Sequence, residues 1–156
     1  MINESGKVRG ERMRFSTKGR YGLRAMVDLA AHSKNGHVAL GSVAERQGIS
    51  INYLEQVFAA LRKSGMVKSV KGAQGGYSLA DDPYNIKVGA ILRILEGQLA
   101  LTDDVPVNTP VARCLKENVW DKMNLRLNEF ADSITVGDLV KDYLKINGEL
   151  EPMYYI

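Results

Sequence analysis

Residues 48–77 read GISINYLEQVFAALRKSGMVKSVKGAQGGY. Ser50 is suited to an N-cap, because its hydroxyl can accept from the unpaired N–H groups of a first helical turn. Leu54, Val57, Phe58 and Leu61 then recur at helical spacing and make one apolar face. Asn52, Tyr53, Glu55, Gln56, Arg62 and Lys63 are left on the other faces. Gly65 is placed to end this helix. Met66 to Lys71 alternates apolar with basic and polar residues, GAQGG offers a hairpin tip, and a second strand follows. A helix with a polar outer face joined to a basic hairpin has the form of a recognition helix and wing.

Upstream, RFSTKGRYGLRAMVDLAAHS carries a helical stripe of Leu23, Met26, Val27, Leu29 and Ala30, capped by Ser16 or Thr17. Lys18, Arg20 and Arg24 lie in or beside its first turns. There they are either solvated charges or phosphate contacts at a helix start, whose N–H groups and dipole favour an anion. Val38 to Leu40 can pair as a short strand. SVAERQG predicts a short helix with Ser42 and Glu45 at capping-box spacing, and Gly48 supplies the tight turn into the next helix. The order helix, helix, turn, helix, hairpin is a winged helix-turn-helix. A helix fits the major groove by width, and a thin basic hairpin suits the minor groove beside it.

Downstream, Asp81-Asp82-Pro83 turns the chain and VGAILRILEG makes another helix, ended by Gly97. Residues 98–109 are loop-like. Thr109-Pro110 is an N-cap followed by proline at the first helical position, opening a helix to about Ala131. Leu115, Val119, Met123, Leu127 and Phe130 step by four and three along it, with Trp120 beside the seam. That stripe predicts pairing with a second copy; the alternative is packing on its own domain. Thr135 caps a last helix to about Lys145.

The fold class expected is mainly α with a small β wing. Its segments are an accessory or disordered extension (1–12), a winged helix-turn-helix (13–97), a linker with dimerisation and final helices (98–147), and a tail (148–156). At 156 residues, with 45% hydrophobic and 25% charged residues, the chain can build one ordinary core. No apolar run approaches a membrane span of roughly 18 residues, and MINESGKVRGER lacks the apolar middle of a secretory signal. A cytoplasmic protein is expected. The single Cys114 agrees with a reducing compartment. Charge is unevenly spread. Ten Lys/Arg face three Asp/Glu between Arg14 and Lys71, against eight and thirteen from Gly72 to Ile156. A basic N-terminal half points to a polyanionic partner, which with the helix-turn-helix pattern means double-stranded DNA; the alternative is a chance partition of surface charge. Enzyme motifs are missing. His32 and His37 have no carboxylate or cysteine at ligand spacing, GAQGG matches no phosphate loop, and no Ser-His-Asp order comes with supporting motif context. A helix-turn-helix used only for protein contacts is the rival class, and it would not need a basic wing.

MRFSTKGRYGLRAMVDLA, SINYLEQVFAALRKSGMVKSVKGAQGGYSLA and ILEG together resemble the Rrf2 family of bacterial repressors. The likeness covers nearly the whole chain from Met13. It is closest in character to the family's cluster-free cysteine-metabolism repressors, with its iron–sulfur cluster regulators more distantly similar. The resemblance implies a homodimer on a pseudo-palindromic operator. It implies that Asn52, Tyr53, Glu55 and Gln56, after Ser50, meet bases and phosphates, and that Lys71 reaches the minor groove. Many members hold a [2Fe–2S] cluster on three cysteines and a further ligand. Here the usual cysteine spacings fall near Thr102 and Asn108, and Glu117 stands where a histidine often ligates. No cofactor is therefore expected. The alternatives are a cluster bridged between two copies of Cys114, or a thiol switch at Cys114; the plainer reading is a small, partly buried helix residue. The ending MYYI is similar to the tails of the cysteine-metabolism repressors and to the isoleucine terminus by which serine acetyltransferase enters cysteine synthase. The implied partner is thus cysteine synthase, engaged through Tyr154, Tyr155 and Ile156. The alternative is that these residues pack on the dimer helices.

Overall fold

The computed structural model describes residues 14–102 and 106–149. The expectations for residues 1–12 and for Tyr154, Tyr155 and Ile156 lie outside the described residues. Among the described residues, seven α-helices, two short 3-10 turns and one two-stranded sheet are formed, the helices and strands in the order α1 (Thr17–His32), α2 (Leu40–Gln47), α3 (Ile51–Lys63), β1 (Val67–Val70), β2 (Gly76–Leu79), α4 (Val88–Glu96), α5 (Pro110–Leu115), α6 (Asp121–Ser133) and α7 (Val136–Ile146). The fold is a winged helix.

The periodic stripes find each other as their spacing requires. Leu54, Val57, Phe58 and Leu61 of α3 are all buried, packed with Ala25, Met26 and Leu29 of α1, Val43 of α2 and Ile91 of α4. Gly48, in the left-handed region at φ 62°, ends α2 with its N–H donating back to the helix. Ser50 caps α3 by accepting from Tyr53 N–H. Gly65, at φ 78°, lets the chain leave α3 for β1. The strands pair antiparallel, with Val67 opposite Leu79 and Val70 opposite Gly76.

Two local expectations give way to tertiary pairing. Val38 and Tyr77 exchange both backbone hydrogen bonds at 2.8 Å, so strand pairing here is a single bridge and Leu40 already belongs to α2. Extended backbone is thereby carried to Ala39, which becomes the N-cap without a side-chain bond. Ser42 falls inside the helix, and the Ser42–Glu45 capping box does not form.

Thr109 caps α5 as expected, accepting from Ala112 N–H, with Pro110 next. A single π-turn, Lys116–Trp120, joins α5 to α6, making one helical rod from Pro110 to Ser133. A full capping box between Thr135 and Asp138 starts α7. This last helix returns to the first core: Val136 is fully buried there, and its N–H donates to Ile86 O at 2.9 Å.

Candidate nucleic-acid interface

The expected interface residues lie on three elements that the core holds side by side. On α3, Asn52, Glu55 and Gln56 are exposed, because they occupy the positions between the buried Leu54, Val57 and Phe58. Ser50, also exposed, is committed to the cap. Tyr53 departs from its expected outward placement. It is half-buried, its ring meets Tyr21 edge-on at 6.0 Å, and its hydroxyl donates to Thr17 Oγ1 at 3.3 Å. Its ring therefore ties α3 to α1.

The wing stands beside α3. Lys68 and Lys71 are exposed on it. Arg62 Nη1 donates to Ser69 Oγ at 3.4 Å, and Phe58 meets Tyr77 at 5.0 Å, so the hairpin's angle to α3 is set at its base. The His37 ring contacts the Gln74 carbonyl at the tip.

At the start of α1, Lys18 and Arg20 are exposed as expected, but an anion already sits on the helix terminus. Glu96 Oε1, from the end of α4, accepts from Ser16 N–H at 2.8 Å, Ser16 Oγ at 2.7 Å and Gly19 N–H at 3.1 Å. A side chain at Gly19 would collide with that carboxylate. The amides expected to hold phosphate are thus taken by Glu96, leaving the cationic side chains as the available groups there. Arg24 is exposed, its guanidinium 5.3 Å from the Tyr21 ring centre, and it donates to Gln47 O at 2.7 Å.

Two ion-pair joints, neither apparent in the sequence, hold this surface in shape. Asp28 of α1, only 4% exposed, accepts from Arg46 Nη2 at 2.7 Å, Arg46 Nε at 3.0 Å and Gln47 Nε2 at 2.8 Å. It fixes α2 to α1. Arg93 of α4 donates to both Asp132 oxygens at 2.8 and 2.9 Å and to Asn128 at 2.8 Å. The guanidinium holds the Asp132 carboxyl below the usual carboxylate range and locks the long rod to the winged helix.

Along the rod the expected stripe divides. Leu115, Trp120, Met123 and Phe130 are exposed, and Val119 is half-buried. Leu127 instead packs on this chain's own second cluster with Val88, Leu92, Leu99 and Ala131. Leu125, outside the expected stripe, is also exposed. Leu115 and Trp120 overhang a cavity of about 630 Å³, walled also by Gln98, Thr102 and Asn124.

Cys114 is exposed rather than partly buried; Asn118 Nδ2 donates to its carbonyl at 2.9 Å and lies 3.7 Å from its Sγ. Glu117 is paired with Arg113 at 2.7 Å. A [2Fe–2S] cluster does not fit these residues. The chain has one thiol, and among the described residues no three His, Cys, Asp or Glu side chains are grouped as metal ligands. Nor, among them, is any helix long and apolar enough to cross a membrane.

The sequence pattern of the Rrf2 family, described as iron-dependent transcriptional regulator, matches residues 15–142. HTH-type transcriptional regulator IscR of Vibrio campbellii is 40% identical over 135 residues, spanning 83% of this chain and 79% of its own length. Among solved structures, CymR (YrzC), the global cysteine regulator of B. subtilis, superposes with a TM-score of 0.73 at 38% identity, covering 83% of this chain and 98% of that one. T. potens IscR gives 0.71 at 48% identity, covering 91% and 95%. S. aureus CymR in an oxidised form gives 0.67 at 37% identity, covering 82% and 96%.

Proposed function

The chain belongs to the Rrf2 family of DNA-binding transcriptional regulators, and from that premise we propose a homodimeric, cytoplasmic repressor that reads its operator with α3 and the wing. The observation that carries this reading is the exposed row Asn52, Glu55, Gln56 beside the exposed Lys68 and Lys71. Amide and carboxylate side chains at that place can pair with base edges in the major groove, and lysines on a hairpin add charge where the minor groove narrows. Ser50 and Tyr53 contribute phosphate contacts beside Lys18 and Arg20. In this reading residues 13–97 read DNA and residues 98–147 join two copies through Leu115, Val119, Trp120, Met123 and Phe130, with Leu127 left to the chain's own core.

The test is a fluorescence-anisotropy titration at fixed moderate salt. Gln56→Ala should lose about 1–3 kcal/mol of discrimination at one base pair. Lys71→Ala should weaken all sequences alike and lower the salt slope by about one. If both variants bind as the parent does, the interface lies elsewhere.

The likeness to a cysteine regulator, together with the lack of a cluster donor set, supports sulfur-metabolism genes as targets. Cysteine synthase is then the controlling partner, engaged through Tyr154, Tyr155 and Ile156. Removing Tyr155 and Ile156 should abolish that complex in calorimetry, and an unchanged isotherm would rule the partner out. A second reading, thiol sensing, is favoured by the exposure of Cys114 and by a relative solved in an oxidised form. Under it, peroxide changes operator affinity of the parent and leaves Cys114→Ser untouched; equal responses would exclude it.

A further inference from the structure

The wing is short for a part that must hold a direction. Its two strands have four residues each, and an isolated two-stranded hairpin is marginally stable in water. Arg62 and Phe58 of α3 brace its base. Its tip, residues 72–75, is closed by Gly75 N–H donating to Gly72 O at 2.9 Å, with Gly72 at φ 119°.

A second brace comes from the segment between α1 and α2. The Val38–Tyr77 bridge sets residue 38 against the edge of β2 that faces away from β1. The approach is close. A Cβ at Gly76 would collide with Val38 O, so β2 must be bare at that point. One residue before the bridge, the exposed His37 ring reaches Gln74 O through Nε2. A carbonyl oxygen only accepts, so Nε2 carries the proton and donates. The Nε2–H tautomer and the imidazolium both meet that condition, and the bond does not need the ring's charge. Among the described residues, no other side chain from outside the wing bonds to its tip. Lys71, also exposed, stands immediately before Gly72, where the tip begins.

We propose that His37 is a positioning residue for DNA reading: by holding the Gln74 carbonyl it aims the wing, and with it Lys71, at the minor groove. This rests on the DNA-reading function above. A loose hairpin keeps its charge, so attraction to phosphates survives. What it loses is orientation, because the hairpin must then be ordered on binding. Orientation is what lets a lysine distinguish a narrow, A·T-rich minor groove from a wider one. His37 thus sets specificity through Lys71 rather than by touching a base.

The test uses the full chain and two operators that differ only in A·T content beneath the wing. His37→Ala and His37→Asn should bind the A·T-rich operator about fivefold more weakly, the worth of one hydrogen bond. Preference over the G·C-rich operator should shrink by the same factor, with the salt slope unchanged because no phosphate contact is lost. Equal losses on both operators overturn the role in specificity. His37→Gln should stay within about twofold of the parent, since its amide nitrogen stands where Nε2 does and can donate, whereas that of asparagine falls short. If His37 met phosphate as a cation instead, glutamine would fail as alanine does and the slope would fall by about one; that result overturns the proposal. In a Lys71→Ala background His37→Ala should add nothing, and additive losses overturn the action through Lys71. Without DNA, NMR relaxation of the Ala73, Gln74 and Gly75 amides should show added motion in His37→Ala and His37→Asn and none in His37→Gln. Unchanged tip order in His37→Ala overturns the hold itself. If the parent also binds no DNA, the DNA-reading function fails, and the relaxation result still decides the hold.

Discussion

Phe130→Asp is expected to give a folded monomer whose operator affinity is lower by about two orders of magnitude or more. Phe130 is 67% exposed in a single chain, two turns along α6 from the exposed Met123. Burying one such aromatic against a partner contributes about 1.5–3 kcal/mol, and a carboxylate at that place adds the cost of a desolvated charge. The fold is spared, because Leu127 and Ala131 together with the Arg93–Asp132 joint hold α6 to its own domain, and none of them is changed. In the proposed dimer, losing the second copy converts two linked half-site contacts into one. Linkage of that kind multiplies affinity by roughly 10²–10⁴, so the DNA effect far exceeds the interface energy removed. Analytical ultracentrifugation reads the mass and anisotropy the affinity. An unchanged dimer, or a monomer that binds as tightly, would show that this face does not assemble the reader.

Sequence made the local features legible because their causes are local. Ser50, Thr109 and Thr135 cap where a hydroxyl precedes an apolar-periodic run. Gly48 and Gly65 fall where the backbone needs positive φ, and the apolar residues of α3 bury as their spacing demands. What escaped the sequence reading depends on contacts made across many residues. Glu96 lies far along the chain from the Ser16 and Gly19 it binds. Nothing near position 96 marks it as the cap of another helix. The bridge from Val38 to Tyr77 overrides a capping box that Ser42 and Glu45 spell out correctly by spacing. Tyr53 shares the polar face of α3 by position but leans on Tyr21, a contact that only the packing of α1 creates. The π-turn at Lys116–Trp120 has no residue signature, and it resets the face that Leu115 and Trp120 present. The candidate interface residues were therefore legible as exposed positions on a periodic helix, while the residues that hold that helix in place were not.

The largest loss of stability should come from that second group, at Arg46. Arg46→Ala is expected to destabilise the fold by about 3 kcal/mol, since removing one partner strands a buried charge. In a domain of this size that lowers the melting temperature by roughly 10 °C. Asp28 is 4% exposed and, with Arg46 gone, keeps Gln47 Nε2 as its remaining side-chain donor among those that fix α2. His32 Nδ1, at 3.6 Å, is too distant for a hydrogen bond to that carboxylate. Asp28→Asn should cost less, because the Arg46 side chain is 35% exposed and turns to water. In the double variant the Arg46→Ala penalty should shrink, since the stranded charge is gone. Additive losses would mean that Arg46 acts by packing its alkyl stem instead. The same joint sets α2 against α1, and α2 leads through Gly48 directly into α3. At temperatures where Arg46→Ala remains folded, operator affinity should therefore fall as well, although Arg46 lies outside the proposed contact row.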